Sequence, residues 1–308
     1  MEKIEPGGKK NLRWRRYSNL LLPYYFLSPA AILFIVFLIY PILNVFYYSL
    51  HHFNPGAFYG NRFAGLENFV TIFTSDRRFT NSLLVSFRWV FTQVSLQLLC
   101  GLMIALLINR HFFGRAVVRC IIISPWALSG VLVSIIWALL YNEHIGPIND
   151  ILMRLQIIER PVAWLGNLDT VFNAVVLAEL WRGIPLFAIA LLAALQSVPD
   201  ELYESCAMDG GGVFWRFFCI TLPYLKDTII LTTLLRAIWT FNGVDLIMNL
   251  TGGGPINYTT TLSLYIANLA IRSQEFGYGS AVAVVAFFIL LIFAVLYLRL
   301  SKFGETSL

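Results

Sequence analysis

The 308-residue chain is 58% hydrophobic and 13% charged, with a mean hydropathy of +0.72 and a formal net charge of +5. Soluble domains run near 45–50% apolar and about 25% charged, so the composition argues against an ordinary soluble enzyme and equally against disorder. The apolar residues come in blocks of about 20 or more, each long enough to cross a hydrocarbon layer of about 30 Å as a helix, which describes an all-α polytopic membrane protein.

Six spans are predicted in chain order. A basic stretch ending at Arg16 precedes an apolar run too long for a signal-peptide core of about 7–15 residues. We read that run as a retained first span, about Tyr24–Leu50, with kinks at Pro29 and Pro41. An outer loop from His51 to about Arg78 leads to span 2, Phe79–Ile108, and the short basic connector Asn109–Ala116 leads to span 3, Val117–Tyr141, which contains Pro125. A second outer loop, Asn142–Thr170, holds Gly146-Pro147 and Arg160-Pro161 turn signals and precedes span 4, Val171–Leu195. The longest connector, Gln196–Lys226, separates it from span 5, Asp227–Leu250. The last outer loop opens with Thr251-Gly252-Gly253-Gly254-Pro255, and span 6 is Gly277–Leu298. The expected division is a tail (1–23), a six-helix transmembrane domain (24–298) and a second tail (299–308).

Charge sets the orientation. Lys3, Lys9, Lys10, Arg13, Arg15, Arg16, Arg110, Arg115, Arg119, Arg216, Lys226, Arg299 and Lys302 fall on one side of these spans. Only Arg62, Arg77, Arg78, Arg154, Arg160 and Arg272 fall on the other. The richer side is cytoplasmic, which puts both termini inside. The basic balance therefore calls for no nucleic-acid partner. Cys100, Cys120, Cys206 and Cys219 avoid the outer loops, so no structural disulfide is expected, and they lack zinc-site spacing.

Gln196–Lys226 is unusual for a connector. Pro199-Asp200-Glu201 is a good helix start, and Glu201–Met208 reads as a short helix that Asp209-Gly210-Gly211-Gly212 ends. A second helical run, Val213–Cys219, carries Phe214, Trp215, Phe217 and Phe218 and leads through Ile220-Thr221-Leu222-Pro223 into span 5. This helix–turn–helix knob on the cytoplasmic side buries little in its own bundle, so a docking role is expected.

The same stretch resembles the signature loop of binding-protein-dependent ABC importer permeases: Glu-Ala-Ala, three residues, Gly, nine residues, Ile-x-Leu-Pro. Glu204, Ser205, Cys206, then Ala207, Met208 and Asp209, then Gly210, then nine residues to Ile220-Thr221-Leu222-Pro223 keep every spacing; both alanines are replaced by other small residues. Asp245 followed by Leu250-Thr251-Gly252-Gly253-Gly254-Pro255, together with Trp181, Pro185, Leu195-Gln196 and Pro199, is similar to the carbohydrate-uptake branch of that family. The resemblance implies the type I importer permease fold and a cytoplasmic-membrane protein of a bacterium or archaeon. It also implies a coupling contact around Glu204, Ser205, Cys206, Ala207, Asp209 and Gly210, with Ile220, Leu222 and Pro223 at its base. The implied partners are two ABC ATPase subunits, a second and non-identical permease, an extracytoplasmic solute-binding protein and membrane lipid. ATP and Mg would sit on the ATPase, with no cofactor on this chain.

Ionisable residues inside spans are costly and usually functional. Asn242, Asp245 and Asn249, spaced i, i+3, i+7, are expected on one face of span 5, with Trp239 a turn earlier. Amides, a carboxylate and an aromatic face are what a sugar ring needs; packing against a neighbouring subunit would use the same residues. Glu179 and Arg182, spaced i, i+3, are expected to pair in span 4, and Trp126, Ser129 and Trp137 are candidates to line the same pathway. Arg88 and Arg236 are expected to be paired or to snorkel. No G-x-x-x-x-G-K-[ST] motif occurs, and the four histidines show no HExxH spacing. These absences argue against catalysis on this chain, and the resemblance implies translocation of a sugar or sugar-like solute into the cytoplasm by alternating access, coupled to a separate ATPase subunit through the 196–226 loop. The alternatives are a non-sugar solute in the same kind of importer, a secondary transporter, which would show inverted repeats, or a membrane scaffold.

Overall fold

A computed structural model describes residues 22–56, 61–301 and 303. The basic residues Lys3 to Arg16 and Lys302, which carry half of the orientation argument, lie outside the described residues. The apolar blocks form helices: α1 (Leu22–Ser49), a small hairpin of β1 (His51–His52) and β2 (Arg62–Phe63), α2 (Glu67–Thr74), and α3 (Arg77–Asn109). Then come α4 (Arg115–Ile123), α5 (Gly130–Leu140), α6 (Pro147–Arg154) and α7 (Leu168–Leu195). The knob is α8 (Asp200–Met208) and α9 (Val213–Arg216), followed by a π-turn (Phe217–Thr221) that runs directly into α10 (Leu222–Asn242). The chain closes with α11 (Asp245–Leu250), α12 (Leu262–Ile271) and α13 (Phe276–Leu300).

The long helices start where side chains take up orphan N–H groups. Asp76 Oδ1 accepts from the Arg78 and Phe79 N–H groups at 2.9 and 3.0 Å, and Asn167 accepts from the Asp169 N–H at 3.0 Å. The central pair is α3 and α7, which run parallel: Gln93 Nε2 donates to the Val176 carbonyl and Gln97 Nε2 to the Glu179 carbonyl. Gly183 permits this approach, since a Cβ there would lie 2.2 Å from Gln97 Nε2. At the knob end, Ala105, Ile108, Phe187, Leu191, Leu195 and Leu225 share one buried cluster. At the opposite end, Ile72, Phe79, Leu262, Leu269 and Val282 share another. The second half of α1 meets α13 through Phe46, edge-on to Phe287 and Phe288. Pro29–Leu43 remains exposed throughout.

Three expectations change. Span 3 is not continuous: Arg115–Ala127 and Gly130–Leu140 meet at 100°. Pro125 in the intervening 3-10 turn has no N–H to give a helix ladder, and the Ser129 hydroxyl starts the next helix by accepting from the Leu132 N–H. Span 5 also breaks, at Gly243-Val244, separating α10 from α11. The last outer loop is no simple loop, because α12 is buried in it, with Leu262 and Leu264 fully enclosed. The Thr251–Thr261 turn before α12 is stitched by its own hydroxyls. Thr259 donates to the Gly254 carbonyl, Thr260 to the Gly253 carbonyl, and Ser86 accepts from the Leu262 N–H at 2.7 Å.

Candidate functional site

The middle of the bundle holds a polar centre in an apolar setting. Arg182 Nε and Nη2 donate to the two oxygens of Glu179 at 3.0 and 2.9 Å, so the expected pair forms as a fork. Arg236, which reaches across from α10, joins the same carboxylate and also donates from Nε to Gln97 Oε1 at 2.6 Å. Gln97 in turn donates to Gln93 Oε1 at 2.9 Å. Glu179, Arg236, Gln93 and Gln97 are all buried. This answers the question of Arg236, which is paired. Arg88 instead lies over the Phe172 ring at 3.9 Å and donates to the Tyr258 hydroxyl.

Beside this centre opens a cavity of about 240 Å³, lined by Trp89, Trp126, Glu179, Arg182, Arg236, Trp239, Thr240 and Asp245, together with Gly243, Leu246 and Ile247. The helix breaks build it. The 3-10 turn between α4 and α5 carries Trp126 to its wall, and the break after α10 turns the start of α11 so that Asp245 faces in. Indole faces, a carboxylate, a guanidinium and a hydroxyl in one cavity can grip an apolar ring face and its hydroxyl groups together.

The cavity thus gathers Trp126, Glu179, Arg182, Trp239 and Asp245, but not the rest of the expected set. Asn242, Asp245 and Asn249 do not share a helix face, because the break at Gly243-Val244 resets the phase between the first two. Asn242 is exposed, donates to the Ile238 carbonyl and borders a separate apolar hollow with Ser263, Ala267 and Phe287. Asn249 turns back to donate to the Asp245 carbonyl at 2.6 Å. Ser129 serves as a helix cap, and Trp137 packs on Tyr141 and Trp181. Sequence reasoning missed Trp89, Thr240 and the two glutamines. Gln93 and Gln97 carried a readable signal, two amides four apart in an apolar helix.

The knob stands clear of the bundle, with no buried residue in α8. Glu204, Ser205, Ala207 and Asp209 are exposed, Cys206 is half-buried, and Ile220 and Leu222 are half-buried at the base beside exposed Pro223. Gly210 has φ +80°, the left-handed conformation that stops α8. The Gly211 N–H then donates to the Cys206 carbonyl at 2.8 Å, and Arg216 Nε donates to the Gly211 carbonyl. The Tyr203 hydroxyl meets Thr221 Oγ1 at 3.0 Å, which ties α8 to the foot of α10. Met208, Phe214 and Trp215 are 89%, 81% and 64% exposed. Large apolar side chains exposed together on a protruding element mark a contact surface. Among the described residues no group of three or more His, Cys, Asp or Glu is placed to hold a metal ion.

Residues 97–302 match the family model described as the binding-protein-dependent transport system inner membrane component. The trehalose/maltose transport system permease protein of Thermococcus litoralis is 37% identical over 289 residues, 94% of this chain and 96% of that protein. The sulfoquinovosyl glycerol transport system permease protein of Agrobacterium fabrum is 34% identical over 302 residues, 97% of each chain. The multiple sugar-binding transport system permease protein of Streptococcus mutans is 31% identical over 290 residues, 94% of this chain and 98% of that one. A chain in the crystal structure of a bacterial ABC transporter that imports the acidic polysaccharide alginate superposes with a TM-score of 0.82 at 22% identity, covering 95% of this chain and 99% of that chain.

Proposed function

This chain belongs to the family of binding-protein-dependent transport system inner membrane components: it is a multi-pass permease subunit of an ATP-binding cassette importer, and we propose that the solute it carries is a sugar. The observation that carries the proposal is the convergence of Trp126, Trp239, Arg182 and Asp245 on one cavity within the spans. Relatives whose names mention trehalose, maltose and other sugars support the same solute class.

The cavity is half a pathway. At about 240 Å³ it is smaller than the roughly 300–1,000 Å³ usual for a complete ligand site. Asp245 is exposed on this chain alone, and a carboxylate within a span needs a cavity or a partner rather than lipid. A second, non-identical permease completes the wall. In this reading the bent pair α4–α5 counts as one span, which makes six, both ends lie inside the cell and the knob is cytoplasmic. There Glu204 to Gly210 and the Met208–Phe214–Trp215 tip seat in one of two ATPase subunits, which hold the ATP and Mg. A solute-binding protein delivers the sugar from outside. Closure of the ATPases pulls the knob, and α10, continuous with it, opens the cavity to the other side.

The test is uptake of radiolabelled maltose and trehalose by proteoliposomes holding the chain with its partner permease, ATPases and binding protein. Trp239→Ala and Asp245→Asn are expected to cut uptake about 10-fold or more while the complex stays assembled. Unchanged uptake in both variants would remove the cavity from the pathway.

A further inference from the structure

A second polar recess lies at the end of the bundle away from the knob. Of the arginines predicted for the outer loops, Arg62 pairs with Glu67 and Arg154 with Asp150. Arg77 and Arg78, in the first turn of α3, are exposed and form no ion pair among the described residues. Asp76 beside them does not serve, because its oxygens are taken by the Arg78 and Phe79 N–H groups and by the Tyr265 and Tyr278 hydroxyls. Arg77 and Arg78 instead border a recess of about 300 Å³ between α3, the Thr251–Thr261 turn and α12, together with Asn81, Ser82, Asn257 and Asn268. Ser82 is only 2% exposed, and its hydroxyl has no hydrogen-bond partner among the described residues. Asn268 Oδ1 is buried and unpartnered as well. Leaving a buried polar group unpaired is costly, so both side chains call for an occupant.

We propose that this recess receives an acidic side chain of the solute-binding protein. The inference rests on the reading of the chain as an importer permease with this end outside. The chemistry of the walls selects the group. Two guanidinium groups and a hydroxyl are donors, and a carboxylate is the acceptor-only side chain that satisfies them together. A main-chain N–H of the segment that carries it supplies the donor that Asn268 Oδ1 lacks. The place selects the partner. Asn81 Nδ2 donates to the Asn257 carbonyl at 3.4 Å, so the recess shares a wall with the Thr251–Thr261 turn, whose Ile256 is 85% exposed at the rim. Further along, the same turn lies over the central cavity: Thr259 and Thr261 pack with Trp89 and Ile247, which line that cavity, leaving no space for a water between them. A protein that delivers solute to the cavity meets this turn, whereas a lipid headgroup lies at the perimeter of the bundle. Seating the carboxylate thus brings the binding protein onto the segment that roofs the cavity.

The test uses the complete importer in nanodiscs and its own solute-binding protein loaded with maltose or trehalose, with the affinity measured over a range of salt concentrations. Arg77→Gln combined with Arg78→Gln is expected to weaken binding about 10-fold or more and to flatten its salt dependence. Arg77→Lys combined with Arg78→Lys keeps the charge and is expected to keep the salt dependence while losing part of the affinity. Ser82→Ala leaves every charge in place and is expected to weaken binding about 3-fold. Wild-type affinity and salt dependence in the glutamine pair or, if that pair does not assemble, wild-type affinity in Ser82→Ala overturn the proposal while the importer reading stands. A loss of affinity confined to nanodiscs that contain phosphatidylglycerol gives the recess to a lipid headgroup and overturns it too. A wild-type importer that neither binds the protein nor hydrolyses more ATP in its presence brings down the importer reading itself.

Discussion

Glu179 on α7 and Arg236 on α10, 57 positions apart in the chain, form an ion pair that solvent barely reaches. Glu179 also holds Arg182, so one carboxylate neutralises part of the charge of two guanidinium groups inside the spans. Removing it leaves Arg236 a desolvated cation and Arg182 without its partner, and breaking a buried pair from one side costs about 3–5 kcal/mol. Glu179→Ala is expected to lower the thermal stability of the detergent-purified protein sharply, with Glu179→Gln milder because the amide oxygen still accepts. An unchanged melting curve for Glu179→Ala would show that the network does not hold α7 to α10.

If the knob seats in an ATPase subunit as proposed, coupling depends on the left-handed turn that ends α8. A side chain at Gly210 costs roughly 1–2 kcal/mol in that conformation, enough to tilt α8 against α9. Gly210→Val and Phe214→Asp should abolish sugar-stimulated ATP hydrolysis of the assembled importer. Phe214→Asp should also release the ATPase during purification, while both proteins remain in the membrane fraction. Full stimulation in both would dissociate the knob from the ATPase.

At the opposite end of the bundle, Asp76 Oδ2 accepts from the Tyr265 and Tyr278 hydroxyls at 2.8 and 2.7 Å, while Oδ1 caps α3. Burial acts to raise its pKa, but the hydrogen bonds from Tyr278, the Phe79 N–H, Tyr265 and the Arg78 N–H outweigh it and hold the carboxyl below the ordinary aspartate value. A lowered folded-state pKa means the stabilisation is complete above the unfolded value, near about 4, and is lost as pH falls through the folded one. Melting temperature should therefore show no contribution from Asp76 to its pH dependence between pH 6 and 8 and should drop below about pH 4. Asp76→Asn should weaken that acid drop, and Asp76→Ala should cost about 0.5–2 kcal/mol through the lost cap alone.

Orientation has a chemical test. Cys219 is exposed on the knob. In a variant keeping Cys219 as its sole cysteine, a membrane-impermeant maleimide should label inside-out vesicles and spare intact cells. Labelling of intact cells would turn the knob outward and end the coupling proposal.

Much of this was legible because apolar block length and signature spacing survive without any tertiary information. The knob is the clearest case: Pro199, Gly210 and the Ile220–Pro223 run specify local geometry that the bundle does not override. Glu179 and Arg182 were legible as a pair because an i, i+3 spacing brings side chains together in any helix. What escaped were the breaks. Periodicity carried Asn242, Asp245 and Asn249 onto one face only while α10 was assumed to continue, and Gly243-Val244 alone gave too weak a signal to stop it. The buried α12 was hidden for a related reason. Its ten residues are too few to span a bilayer, and only the threonine-stitched turn that folds it back explains how they come to be enclosed. Thr240 and Trp89 entered the cavity from helices whose rotation no linear pattern records.

The π-turn at Phe217–Thr221 lets Pro223 sit inside a helix without cutting it, so Phe214, Trp215 and the tryptophan at residue 239 ride on a single rod. From Phe214 to Trp239 that rod is about 38 Å long at 1.5 Å per residue. A pivot near its middle would turn a tilt of about 10° into opposed swings of roughly 3 Å at the two ends, comparable to the span of one hydrogen bond. Chemical work done in one compartment would thereby reach the bilayer interior as leverage, with no relay of intervening side chains needed.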